Sequence, residues 1–202
     1  MITKKKQIQI SILNQGWLRT ELTALLLKIL STNIIYDVYI EYPRLKPIQH
    51  NRNDIVKRFL QTNRDFLLMI DSDIVPTKNP LDLVQYNKDV IGLPCPTWKE
   101  NEVIWLVMDK IKEGWQISSK LNDKGLVEVD AVGSGAILIK RKVLENIKEP
   151  FSVLWDKDGL MDTGLDILFC EKAKKKDFSI YFHSEYTCSH FMDFDYLRLA
   201  LK

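Results

Sequence analysis

Five consecutive apolar residues, Phe66-Leu67-Leu68-Met69-Ile70, run directly into Asp71-Ser72-Asp73. A run this short, with no polar alternation, has no side to offer to water, so it fits a strand covered on both faces. Its surroundings supply the cover. Residues 7–13 alternate polar and apolar before a break at Asn14-Gln15-Gly16, as a strand entering a loop does. Over 17–30, Leu18, Leu22, Leu25, Leu26, Ile29 and Leu30 recur at steps of three and four, which predicts an amphipathic helix. A strand over 37–41 follows, then a helix over 53–60 marked by Ile55, Val56, Phe59 and Leu60. The order β-α-β-α-β predicts a parallel, doubly wound nucleotide-binding unit.

The second half has a different texture. Shorter strands are predicted near 89–93, 102–108, 115–119 and 126–132, then a helix over 164–176, a strand over 178–183 and a polar, aromatic tail. These give a mixed sheet with a hairpin. No internal repeat, low-complexity tract or Pro/Gly/Ser linker divides the 202 residues, and 46% apolar content suffices for one well-buried domain. With 29 basic against 27 acidic residues there is no basic stripe for nucleic acid. The apolar stretches fall far below the roughly 20 residues of a spanning helix. Basic residues open the chain, but no continuous apolar core and no cleavage site of an export signal follow them. Cys95, Cys170 and Cys188 are odd in number and widely spaced, which points to reduced thiols and a cytoplasmic setting, with one bridge among them left open.

In an extended segment residues i and i+2 point the same way, so Asp71 and Asp73 are expected to face one site at the carboxyl edge of the sheet. Open α/β sheets bind ligands there. Two neighbouring carboxylates repel unless a cation joins them, and a divalent cation chelated by a diphosphate is a natural partner. A solvated turn with capping carboxylates is the alternative. Asp-x-Asp alone decides nothing, since it recurs at Asp156/Asp158 and Asp193/Asp195; only the first copy follows a buried-type strand.

Residues 64–76, Arg-Asp-Phe-Leu-Leu-Met-Ile-Asp-Ser-Asp-Ile-Val-Pro, resemble the DxD segment of GT-A glycosyltransferases, especially family 2-like enzymes and the short versions of phages and archaeal viruses. Other segments agree in order. Asn51-Arg52-Asn53 is similar to the Arg-Asn element on the helix before that strand. Residues 129–139, with Gly133-Ser134-Gly135, resemble the acceptor-side strand and its small turn, and 164–170 resemble the Gly-Glu-Asp segment opening a helix. His190 stands where many such enzymes supply a late histidine.

The resemblance implies an α/β GT-A fold, with a Rossmann-like N-terminal half and a mixed central sheet, as a single domain over 1–202. About 1–76 would bind nucleotide, and about 77–202 would form the acceptor side. It implies transfer of a sugar from a nucleotide-diphosphate donor, a UDP- or GDP-sugar, to a hydroxyl on protein, lipid or glycan, with inversion. The setting would be the cytoplasm, that of the host if the chain is virus-encoded. Asp73 would bind the metal directly, Asp71 would hold the ribose or a metal-bound water, and His190 would complete the ligands. A nitrogen ligand suits Mn²⁺ better than Mg²⁺.

Asp166 would be the general base, which must reach the acceptor hydroxyl. Leu165 replaces the usual preceding glutamate, and Asp162 is the reserve candidate. Arg52, with Asn53 beside it, would meet a phosphate or base, and Ser72 lies between the two aspartates. Asn14 and Glu41 would touch the nucleoside, and Gly133 and Gly135 would admit the donor sugar. Trp98, Trp105 and Trp115 would stack on acceptor rings.

Each role has a plainer alternative. His190 fits a surface histidine, Asp166 a first-turn carboxylate favoured by the helix dipole, and Arg52 a solvated helix face. Loop polarity accounts for Asn14 and Glu41, a tight turn for the glycines, and core packing for the tryptophans.

Other classes fit less well. Asn14-Gln15-Gly16-Trp17 is no dinucleotide-binding glycine turn, and Asp156-Lys157-Asp158-Gly159 is no EF-hand, lacking the closing glutamate. Val132-Gly133-Ser134-Gly135-Ala136 is not a nucleophile elbow. His183, Cys188 and His190 have no usual zinc spacing. A catalytically silent GT-A-like binder of glycans or nucleotide sugars, and a nucleotidyltransferase on a related fold, stay open.

Overall fold

The computed structural model describes residues 5–99, 102–159 and 161–192, with the side chains of 99, 161 and 162 outside that description. Asp193 and Asp195 therefore lie outside the described residues. The first half follows β1 (Gln7–Leu13), α1 (Thr20–Thr32), β2 (Asp37–Glu41), α2 (Ile48–Leu60), β3 (Phe66–Asp71) and β4 (Ile74–Pro76). Next come β5 (Val90–Gly92), β6 (Pro96–Lys99), β7 (Glu102–Trp105), β8 (Val107–Ile111), β9 (Gly114–Ile117), β10 (Leu126–Val129), β11 (Ala131–Val132) and β12 (Ala136–Lys140). The chain continues through α3 (Arg141–Glu145), β13 (Leu154–Trp155), β14 (Met161–Thr163), α4 (Leu165–Lys174), β15 (Ile180–His183) and β16 (Cys188–His190).

A 7-stranded sheet in the order β10-β15-β5-β12-β3-β1-β2 forms the centre. β2, β1, β3, β5 and β15 run one way, and β12 and β10 run against them. The apolar run of β3 lies inside this sheet, between β12 and β1: Phe66 is 2% exposed and Leu67, Leu68, Met69 and Ile70 are 0%. Phe66, Leu68 and Ile70 join Leu22, Leu26 and Ile29 of α1, while Leu67 and Met69 join Ile55, Val56 and Phe59 of α2. Burial of such side chains is worth roughly 1.5–3 kcal/mol each, so this strand anchors both layers. No helix among the described residues is long and apolar enough to cross a membrane.

The alternation in β1 has another meaning than a solvent face. Its polar members Gln9 and Ser11 are 1% and 0% exposed. They are answered from neighbouring elements by Glu41 and Arg64, so β1 is an inner strand with polar residues on a buried face. α1 begins three residues later than the periodicity predicts, because Arg19 is extended and its N–H donates to the Ser72 carbonyl. α2 begins five residues earlier, at Ile48, directly after Pro47.

The single strands expected over 102–108 and 126–132 are each two. The hairpin β6–β7 stands apart from the sheet β11-β8-β9, and the breaks fall at Leu106 and Asp130, whose backbones bond to Gly133 and Met108.

Candidate active site

β3 ends at Asp71 on the carboxyl edge of the sheet, and the chain turns through Ser72-Asp73 into β4. The two carboxylates meet across this turn and not through the side-to-side alternation of a continuous strand. Backbone bonds hold the turn from both flanks, Asp71 N–H to the Gly135 carbonyl and Ser72 N–H to that of Leu13, each 2.8 Å. β4 pairs with β16, with His190 opposite Ile74, and the Phe191 N–H donates to the Asp73 carbonyl at 2.9 Å. That ladder is what carries a histidine from the far end of the chain to the acidic turn.

Two hollows open on either side. The larger, about 600 Å³, is lined by Asn14, Trp17, Asn51, Asp71, Ser72 and Asp73. The smaller, about 280 Å³, is lined by Arg52, Asp71, Asp73, Ser134, Asp166 and His190. Asp71 and Asp73 thus stand on the wall common to both.

Charge here is poorly balanced. Arg52 is 2% exposed, and its Nη2 donates to both oxygens of Asp71 at 2.9 Å. Its Nη1 meets only the Met69 sulfur at 4.0 Å, and its Nε has no partner among the described residues. One arginine faces three carboxylates. Burial, and secondarily Asp73 and Asp166, push the Asp71 carboxyl up from 3.8 to about 6 against the pull of Arg52. Asn51, which lines the larger hollow and which the sequence pattern passed over as a ligand, has its Oδ1 buried without a partner among the described residues.

His190 donates from Nδ1 to the Pro96 carbonyl at 2.8 Å, since a carbonyl can only accept. In the neutral ring Nε2 then keeps its lone pair, and it lies 3.6 Å from the Asp73 carboxylate. A ligating histidine commonly donates its other N–H to a backbone carbonyl, and imidazole nitrogen beside carboxylate oxygen is a donor set for Mn²⁺. Among the described residues no three His, Cys, Asp or Glu side chains converge into a complete cage. A cation bound there would have Asp73 and His190 as its protein ligands.

Asp166, in the first turn of α4, accepts a short hydrogen bond from the buried Ser134 hydroxyl through Oδ1. Its Oδ2 has no hydrogen-bond partner among the described residues. Ser134 carries no signal in the sequence, since a serine between glycines looks like any tight turn. Asp162 lies in β14, but its side chain is outside the described residues.

Several residues expected at the ligand are placed differently by the fold. Glu41 accepts from Gln9 Nε2 at 3.0 Å, Ser11 Oγ at 2.7 Å and Arg58, and stands in neither hollow's wall. Asn53 clamps Phe151, donating to its carbonyl at 2.6 Å and accepting from its N–H at 3.0 Å. Gly133 makes room for Leu106, whose Cβ would lie 2.9 Å from an added Cβ, whereas Gly135 lines the smaller hollow. Asn14 lines the larger hollow, but its amide is occupied, accepting from Gly16 and Arg44 and donating to Ile12 and Pro43. Trp115 packs against the core, while Trp98 is 50% exposed and Trp105 half-buried.

No protein-family profile and no curated protein matches this sequence. Solved structures do match. A197 from STIV aligns at 23% identity and a TM-score of 0.65, over 93% of this chain and 86% of that one. GalNAc-T7, solved with UDP, GalNAc and Mn²⁺, aligns at 8% identity and a TM-score of 0.53. That alignment takes in 96% of this chain but 45% of the other. With the mixed seven-stranded sheet, these likenesses identify the fold as GT-A-like.

Proposed function

We propose that this chain, as one GT-A unit, is a metal-dependent glycosyltransferase that moves a sugar from a UDP- or GDP-sugar to a hydroxyl acceptor with inversion. One observation carries the reading: Asp71 and Asp73 form the shared wall of two hollows, with the His190 Nε2 3.6 Å from Asp73. The geometry supports a nucleotide in the larger hollow, whose wall includes Asn51, and the reacting sugar in the smaller one. The likeness to GalNAc-T7, a protein solved with UDP and Mn²⁺, supports the same ligand class.

Asp73 and His190 would hold Mn²⁺, or Mg²⁺ less well, and a cation there neutralises the charge that grows on a departing diphosphate. Arg52 keeps Asp71 in place and retains donors for a phosphate oxygen. The open Oδ2 of Asp166 is suited to take the proton of the attacking hydroxyl, while Ser134 fixes its other oxygen. Burial of Asp71 works against its ionisation and so raises its carboxyl to about 6. Three buried, free cysteines suit a reducing cytoplasm, that of the host if a virus encodes the chain.

Donor hydrolysis tests this. With Mn²⁺, at least one of UDP- and GDP-sugars should be hydrolysed, and Asp73→Ala should abolish turnover. No turnover of any common sugar nucleotide would leave a silent binder, a result that Leu165, standing beside Asp166 in the hollow's wall, would then explain. For inversion, NMR of the product must show the anomeric configuration opposite to the donor's.

A further inference from the structure

A third hollow, of about 430 Å³, lies beside the reaction site and plays no part in the chemistry above. Its walls include Pro94, Trp105, Ser119, Asn122, Phe182 and Ser184. No charged side chain lines it, although 28% of the chain is Asp, Glu, Lys or Arg. An anionic ligand such as a phosphate would find no cation here.

Of the polar groups that line it, the hydroxyls of Ser118, Ser184 and Thr187 are engaged with Asp109, Gly125 and Thr77, and three others are open. The Ser119 hydroxyl, the Asn122 amide and the Trp105 indole N–H have no hydrogen-bond partner among the described residues. A purely apolar ligand would desolvate these groups and leave them unpaired. What fits is a neutral molecule with C–H faces for an aromatic ring and hydroxyls for the rim.

Position links this hollow to the reaction site. Pro94 is in its wall, and the next two residues, Cys95 and Pro96, are in the wall that holds Asp73 and Asp166. In the β6–β7 hairpin Pro96 pairs with Trp105 and Trp98 with Val103, so all four share one face. That face carries Trp98 and Val103 outward, 50% and 59% exposed, as a continuation of the Trp105 wall.

We infer that this hollow and the Trp98–Trp105 face form a subsite for a neutral oligosaccharide, and that the acceptor is therefore a glycan, one hydroxyl of which enters the neighbouring reaction hollow. The assignment of the glycan as acceptor rests on the transferase reading; saccharide binding itself does not.

The test is direct binding to the full chain. Neutral oligosaccharides, namely oligomers of glucose, mannose, galactose and N-acetylglucosamine in both linkage senses, are immobilised and screened, and hits are titrated by tryptophan fluorescence. At least one series should bind. Trp105→Ala should weaken it about tenfold and Asn122→Ala by roughly threefold, while Trp105→Phe, which keeps a ring, should stay within about threefold of wild type. Trp105→Phe and the melting temperature guard against mere misfolding.

Failure of every neutral series overturns the inference, as does binding confined to anionic glycans or to peptides, or a folded Trp105→Ala that binds as wild type does. Thermal shifts with UDP or GDP plus Mn²⁺ judge the other reading separately. Saccharide binding that depends on Trp105, without any nucleotide shift, upholds the subsite and sinks the transferase. A nucleotide shift without saccharide binding does the reverse.

Discussion

Helix α2 sends two arginines to carboxylates at the ends of β2 and β3, the parallel strands that flank β1, and the two pairs finish differently. Glu41, at the end of β2, collects Arg58 together with the side chains of Gln9 and Ser11. Asp71, at the end of β3, has Arg52 alone and feels Asp73 and Asp166 besides. Where the protein satisfies a carboxylate completely, that charge is architecture. Where it leaves several carboxylates around one arginine at the edge of a hollow, the charge is relieved in part by a raised carboxyl, and perturbed ionisation gathers at functional places.

Activity should separate the two ends most sharply. Asp73→Asn should lower turnover by roughly 10²–10³ or more, the usual cost of removing a group that meets developing charge. Glu41→Gln, which keeps acceptors for Ser11 and Gln9, should stay within about threefold on the scale where tenfold is about 1.4 kcal/mol. Equal losses in a steady-state assay would break the contrast.

Stability comes next. Arg52→Leu strips a buried pair of its cation and should cost about 3 kcal/mol, the low end of the usual range, because Asp71, already pushed up to about 6, can neutralise itself. Arg58→Leu removes a guanidinium that is 39% exposed and should cost no more than about 1 kcal/mol. Adding Asp71→Asn to Arg52→Leu should recover part of the loss, since removing both partners leaves no buried charge alone. Urea denaturation of the variants reads all of this. A double variant less stable than Arg52→Leu would mean that Asp71 is held by something other than its charge pairing.

The two ends of α2 also mark where sequence patterns stop being informative. The strand β3 was legible because burial on both faces imposes a continuous apolar run, β1 and β2 because their side chains alternate, and α1 because its stripe repeats over 13 residues. Glu41 and Asn53 looked like ligand groups because a polar residue beside a strand end or near a helix start reads the same whether it faces a ligand or a neighbour. Only long-range partners, Ser11 for one and Phe151 for the other, decide. The ladder β4–β16 is three residues on each side, too short for any period, so its role in bringing His190 to Asp73 could be inferred only by resemblance.

Gly133 and Gly135 carry the same contrast into the glycine turn, one closed against protein and one facing the hollow. An added Cβ at Gly133 would sit 2.9 Å from the Leu106 Cβ, and at Gly135 3.3 Å from the Ile74 Cγ1. Gly133→Ala should therefore cost about 1–3 kcal/mol by overpacking, with the donor KM unchanged in the folded fraction. Gly135→Ala should cost less in stability but raise KM, because its methyl would narrow the hollow that holds Asp166. A reversed pattern, with the stability loss at 135 and the KM effect at 133, would return Gly133 to the donor site.

The smallest effect belongs to a fully satisfied group at the other end of the sheet, His183 at the close of β15. Its Nδ1 accepts from the Glu185 N–H at 3.3 Å, so the proton sits on Nε2 and is given to Tyr86 Oη at 3.0 Å. Burial, with Lys78 adding to it and Glu185 opposing, lowers its ionisation below the ordinary 6.5. The unfolded chain therefore takes up the proton first. The stability this neutral ring contributes is complete above pH 6.5 and drains away as pH falls from there through the folded value, by at most about 1.4 kcal/mol per unit. His183→Gln, which can still donate to Tyr86, should remove that slope. Chemical denaturation of both proteins between pH 7.5 and about 5 gives the difference, in which the carboxylates common to both cancel. If wild type and variant lose stability in parallel, the ring is not the closed, neutral group that its two hydrogen bonds describe.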